Sequence, residues 1–124
     1  MKVKRVLSAT LLTAVIGISA FACGAPASGD PVSNAIHQNF GDNPALEAQA
    51  NKVVNCESGR NPNAYNPSGG YYGLFQLSRY WHEATANSMG YSWNQIYDPY
   101  VNARVARAVY NQSGGWGPWS CPAY

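Results

Sequence analysis

Apolar residues recur at helical spacing in two stretches of this chain and run without interruption in a third. In "DNPALEAQANKVVNCES", Leu46, Ala50, Val53 and Val54 fall three and four apart, giving one apolar helix face. Asn43 is placed to cap that helix, Pro44 suits its first position and Glu47 lies in its first turns. "DPYVNARVARAVYNQSGG" repeats the scheme, with Asp98 as cap, Pro99 next and Gly114 past the end. Its buried stripe is Val101, Val105, Ala108 and Val109, and Arg104 and Arg107 are expected to face water. Between the two, Ser78 caps a helix in "SRYWHEATANSMG" that runs through Asn87 and stops at Gly90. Upstream, "VSNAIHQNF" has the spacing for a short helix that packs Ile36 and Phe40. Residues 61–72 carry three Asn, two Pro and two Gly and are expected to be irregular. No segment alternates at period two, so the expected fold class is mostly α, with one long loop of the kind that usually carries function.

The uninterrupted run is residues 6–22, which follow the basic MKVKR and end in "AFA". A basic start, an apolar stretch and a small-x-small ending predict a secretory signal over residues 1–22. Seventeen uncharged residues mixed with Ser, Thr and Gly are short for a span that needs roughly 20. Lys2, Lys4 and Arg5 account for the positive balance; without them five basic side chains face six acidic ones, and no basic patch argues for nucleic acid as partner. Residues 23–42, rich in Gly, Pro, Ala and Ser, read as a flexible linker, and residues 43–124 as the folded domain.

Three cysteines remain to be placed. In an exported protein Cys56 and Cys121 are expected to pair, a closure worth about 4 kcal/mol in the chain-entropy model. Cys23 has two readings: a lipidation site, since "AFAC" approximates a lipoprotein cleavage box, or a thiol left over at a flexible start or removed. The protein is thus expected to be secreted or wall-associated, the alternative being a lipoprotein anchored at the cell surface.

"ESGRNPNAYNPSGGYYGLFQL" resembles the lytic transglycosylase and lysozyme-like superfamily, with its Glu-Ser, Asn-Pro, Ser-Gly and Gly-Leu-x-Gln elements in order. "ARAVYNQSGGWGPWSC" is similar to that superfamily's Tyr-Asn motif, joined to a tail like that of the actinobacterial resuscitation-promoting factors. The resemblance spans residues 43–121 and implies a small lysozyme-like domain acting, as a monomer, on peptidoglycan glycan strands. It implies Glu57 as the catalytic acid/base and Ser58 as a residue that holds it or the substrate. Gln76, Tyr110 and Asn111 match cleft-lining positions, and Gly73 matches a glycine that lets the sugar approach closely.

The chemistry needs an acid of this kind. Protonating a glycosidic oxygen near neutral pH requires a carboxyl whose pKa is raised by apolar surroundings. Glu57 stands at a helix end beside a loop carrying Tyr65, Tyr71, Tyr72 and Phe75, which can supply them. A two-carboxylate glycosidase needs a partner roughly 5 to 9.5 Å away. The loop after Glu57 holds none up to Leu77, leaving Glu83 and Asp98, of which Asp98 is better explained as a cap. A single-carboxylate lytic transglycosylase giving 1,6-anhydro ends is therefore expected, with a lysozyme-type hydrolase or an idle wall-binding or signalling module as alternatives. Of the aromatics, Tyr71 and Tyr72 are the expected sugar contacts, Trp81 and Trp93 are expected in the core, and Trp116 and Trp119 around the disulfide. His37 and His82 stand apart from any Cys or carboxylate at ligand spacing, so neither metal nor cofactor is expected.

Overall fold

The computed structural model describes residues 29–123; the signal segment, Cys23 and Tyr124 lie outside them. The first helix, α1, covers Pro31–Phe40, and the Asp30 carboxylate caps it by accepting from the backbone N–H groups of Val32 and Ser33 at 3.0 Å. It buries Val32, Ala35, Ile36, Asn39 and Phe40. The stretch read as a linker over residues 23–42 is therefore, from Pro31 to Phe40, part of the packed domain. The short helix expected over "VSNAIHQNF" is present with Ile36 and Phe40 buried, so it belongs to the packed domain and not to the linker that its Pro- and Gly-containing surroundings suggested.

Helix α2 (Pro44–Ser58) starts at the Asn43 cap, buries Leu46, Ala50, Val53 and Val54, and ends at Gly59 in the left-handed conformation. The loop that follows is not wholly irregular. Two-residue strands β1 (Tyr65–Asn66), β2 (Tyr71–Tyr72) and β3 (Leu77–Ser78) form a small antiparallel sheet in the order β1-β2-β3. Tyr65 pairs with Tyr72, and Tyr72 with Leu77. Helix α3 (Arg79–Ser88) leaves directly from β3, with the Ser78 hydroxyl accepting from the Trp81 N–H at 3.4 Å. A 3-10 turn over Trp93–Gln95 leads to α4 (Pro99–Ser113), capped by Asp98 and closed by Gly114.

Helix α4 departs from the expected stripe at two points. Ala108 is half-buried while Asn102, Ala103 and Ala106 are buried with the valines, because α1 and α3 cover more than one face of it. Arg107 does not simply face water: its guanidinium donates to Asp42 at 2.7 and 3.0 Å and to the Asn39 carbonyl at 3.0 Å, and lies over the Phe40 ring. Arg104 is exposed as expected.

The fully buried Asn102 anchors the loop that carries the site. Its Oδ1 accepts from the Phe75 N–H at 2.9 Å, and its Nδ2 donates to the carbonyls of Tyr72 at 3.0 Å and Ile96 at 2.9 Å. Gly73 passes so close that a Cβ there would meet Nδ2 at 2.3 Å, and its φ of +73° also favours glycine. Asn102→Ala strands two buried backbone groups and one partly buried one, so we expect a stability loss of about 3 kcal/mol, read as a lowered midpoint in denaturant unfolding.

The tail packs by its aromatics. Trp116 stacks on Phe40 and Phe75 with ring centroids 5.6 and 6.3 Å apart, and Trp119 meets Trp116 edge-on at 5.1 Å. The Cys56–Cys121 disulfide, with Cα atoms 5.9 Å apart, ties this tail to the end of α2. Among the described residues no helix is long and apolar enough to cross a membrane.

Candidate active site

One cleft of about 510 Å³ opens between the end of α2, the β2–β3 loop, α3, the end of α4 and the tail. Glu57 lines it from α2; Tyr71, Gln76 and Ser78 from β2, the β2–β3 loop and β3; Trp81, His82 and Thr85 from α3; Val109, Gln112 and Ser113 from α4; and Pro118, Trp119 and Ser120 from the tail.

Glu57 is on the last turn of α2, one residue past Cys56, so the disulfide brings the tail's backbone against its carboxylate. Its Oε1 accepts from the Cys121 N–H at 3.2 Å. Burial pushes the carboxyl above its ordinary pKa, while the N–H groups of Cys121 and Ser120 pull the other way. Desolvation wins because the group is half-buried and no cation pairs with it among the described residues. The result is a carboxyl that holds its proton to higher pH than an exposed glutamate.

The two other candidate carboxylates are committed elsewhere. Glu83 is held by Arg79 through hydrogen bonds of 2.9 and 3.1 Å, and that bonding lowers its pKa. Asp98 accepts from the Val101 N–H at 3.0 Å as the α4 cap. Among the described residues, Glu57 is the one acidic side chain that lines this cleft.

Gln76 reaches the cleft on a strained backbone. Its φ of +48° costs an L-residue about 1 kcal/mol or more, offset by a network around it. Nε2 donates to the Ala64 and Gly73 carbonyls at 3.2 and 3.0 Å, which leaves Oε1 as the free acceptor. Of the residues expected at the site, the structure thus brings Glu57, Tyr71 and Gln76 together.

The rest lie elsewhere. Ser58 turns its hydroxyl back to the Val54 carbonyl at 3.1 Å, a local helix bond. Tyr72 packs among Tyr65, Trp93 and Tyr97 with centroids 4.9 to 5.7 Å away, outside the cleft lining. Gly73 makes room for Asn102. Tyr110 meets Trp116 edge-on at 4.9 Å and joins the core, and the exposed Asn111 accepts from Arg107 at 3.2 Å. The α4 face that does reach the cleft is Val109, Gln112 and Ser113, because three- and four-residue steps put Tyr110 and Asn111 on other faces.

Trp81, expected in the core, is 72% exposed and lines the cleft, whereas Trp93 is buried as expected. In α3 the line His82, Ala86, Met89 points inward and Trp81 and Thr85 flank it, a phase that the Ser78 cap fixes and that could have been read from it. Trp119 combines both roles: its Nε1 donates to the Phe75 carbonyl at 2.9 Å while its ring forms cleft wall.

Neither a curated protein nor a solved structure matches this chain. A family model described as a lysozyme-like domain matches residues 34–121, from α1 to the disulfide. Together with the helical fold and the Cys56–Cys121 bridge, that match shows the chain to belong to the lysozyme-like domain family.

Proposed function

We propose that this protein is an exported enzyme that cuts the β-1,4 bond between N-acetylmuramic acid and N-acetylglucosamine in peptidoglycan, as a lytic transglycosylase. The lysozyme-like family is one of glycosidases and lytic transglycosylases acting on peptidoglycan, which supplies the substrate class. The observation that carries the finer reading is the cleft's single carboxylate, Glu57, with its raised pKa.

In the reaction, protonated Glu57 gives its proton to the glycosidic oxygen and the bond from C1 of the muramic sugar breaks. The carboxylate left behind takes the proton of that sugar's own 6-hydroxyl, and O6 closes onto C1. No water is consumed, Glu57 ends protonated again, and no second carboxylate is needed. Gln76 Oε1 and the Tyr71 ring support the reading as substrate contacts. Export fits the signal-like residues 1–22 and a disulfide, a bond that persists in oxidising compartments.

Incubating purified cell wall with the protein should release soluble muropeptides. The raised pKa fixes the sign of the pH response: the acid form is lost as pH climbs through it, so release declines on the alkaline side. We expect that decline at a pH above the ordinary glutamate range. A decline centred at or below that range would contradict Glu57 as the acid.

A further inference from the structure

Glu57 and Gln76 line the cleft from separate elements, α2 and the β2–β3 loop. The Glu57 carboxylate takes its hydrogen bonds from Ser120 and Cys121 of the tail and none from residues 65–78. The tail is fastened to α2 by the Cys56–Cys121 disulfide, by the Cys121 N–H on Glu57 Oε1, and by the Trp116 Nε1–H on Gln49 Oε1 at 2.9 Å. To the β2–β3 loop it makes one hydrogen bond among the described residues, from Trp119 Nε1 to the Phe75 carbonyl at 2.9 Å. Trp119 directly precedes Ser120 and Cys121, so the residue that grips the loop adjoins the pair that grips the acid.

The gripped carbonyl governs Gln76. The Phe75 C=O and the Gln76 N–H share one planar peptide unit, so holding the first fixes the plane from which the Gln76 side chain departs. That plane is held at both edges, since its N–H donates to the Gly73 carbonyl at 3.1 Å. Asn102 Oδ1 holds the preceding N–H, that of Phe75, at 2.9 Å. Gln76 needs the restraint because its φ of +48° is unfavourable for an L-residue. A peptide released at one edge can rotate toward an unstrained φ and carry the side chain with it. Ring packing does not replace the bond. Trp119 meets the Phe75 ring edge-on with centroids 6.3 Å apart, a contact that tolerates sliding, whereas an N–H···O=C bond is directional.

We propose that Trp119 is a positioning residue: its indole N–H, acting through the Phe75 carbonyl, holds Gln76 in register with the Glu57 carboxylate across the cleft. The role rests on the glycan-cleaving reading and adds to it the part that sets where Gln76 stands relative to the acid. A tryptophan that only filled the core would contribute stability and nothing to the rate of the folded enzyme.

A double-mutant cycle on kcat/KM for muropeptide release from purified wall tests it. Trp119→Phe keeps a ring and removes the donor; Gln76→Ala removes the side chain to be positioned. We expect each to lower kcat/KM about tenfold, the scale of one lost hydrogen bond. The two together should lower it no further than Gln76→Ala alone, because a side chain that is gone has no position to lose. Independent losses would instead multiply to about a hundredfold. Trp116→Phe is the matched control: it removes an indole N–H bond of the same length, made to α2 instead of the loop, at a residue outside the cleft lining. It should lower the unfolding midpoint and leave kcat/KM of the folded protein within about twofold. Rates are read where circular dichroism shows each variant folded. Trp119→Tyr and Gln49→Met, which break the same two bonds, stand in should either Phe variant be unfolded. Unchanged kcat/KM in Trp119→Phe, a multiplicative double variant, or an equal loss in Trp116→Phe overturns the positioning role and leaves the glycan reading standing. No release from wall by the unmodified protein overturns both.

Discussion

Glu57→Gln should lower muropeptide release from purified wall by about 1,000-fold while the protein stays folded. The loss is expected to be this large because in the proposed reaction the same side chain acts twice, as acid to the leaving oxygen and as base to the 6-hydroxyl. No other acidic side chain among those described lines the cleft to take over either step. Glutamine keeps the shape and an oxygen able to accept from the Cys121 N–H, so the tail should stay in place.

The same substitution carries a stability signature. A folded-state pKa above the unfolded one means that the folded state binds the proton more tightly, so ionising Glu57 costs stability as pH rises through that window. Glu57→Gln removes this cost. At neutral pH its midpoint of unfolding should therefore equal or exceed that of the parent protein, even as activity vanishes. An active-site change that lowers activity and raises stability is what a functionally strained carboxyl predicts, and a destabilised variant would argue that Glu57 is a structural acceptor.

The second large effect concerns the disulfide. Cys56–Cys121 closes a separation of 65 residues, and opening it should cost about 4 kcal/mol on the chain-entropy model. The bridge also holds the Ser120 and Cys121 N–H groups against Glu57, and Pro118, Trp119 and Ser120 as cleft wall. Cys121→Ser should therefore lower activity beyond what unfolding explains. At a temperature where circular dichroism shows the variant folded, release from wall should still fall by about 100-fold, the scale of a misplaced reacting group. Activity that merely tracked the folded fraction would show the bridge to be a staple without a part in placing the acid.

How far the sequence carried can be seen residue by residue. Helices α2 and α4 were legible because Asn43-Pro44 and Asp98-Pro99 start them, Gly114 stops α4 and the apolar stripes have helical period, while the Gly59 stop of α2 was not read. The sheet was not, because strands of two residues are too short for alternation to register; they form through the pairing of Tyr72 with Tyr65 and Leu77. Helix α1 was undervalued because Gly, Pro and Ser around it resemble a linker, while Ile36 and Phe40 are fully buried. Asn102 could not be found by pattern: an asparagine reads as surface until three backbone groups converge on it. Glu57, the acid of the proposed reaction, was picked out by a run whose element order is distinctive, and the fold places it in the cleft wall. Tyr72, Tyr110 and Asn111 fall outside the cleft lining because a motif gives position along the chain, whereas the facing of a ring depends on what packs beneath it.

The central claim is that one carboxylate carries the whole reaction, and the sugar ends of the product record it. Mass spectrometry of muropeptides released from purified wall distinguishes a 1,6-anhydro muramic end from a reducing end, which is heavier by one water. The account predicts anhydro-muramic ends in the wild-type digest and none from Glu57→Gln. Reducing muramic ends would show that water attacks C1 and contradict the single-carboxylate transglycosylase reading.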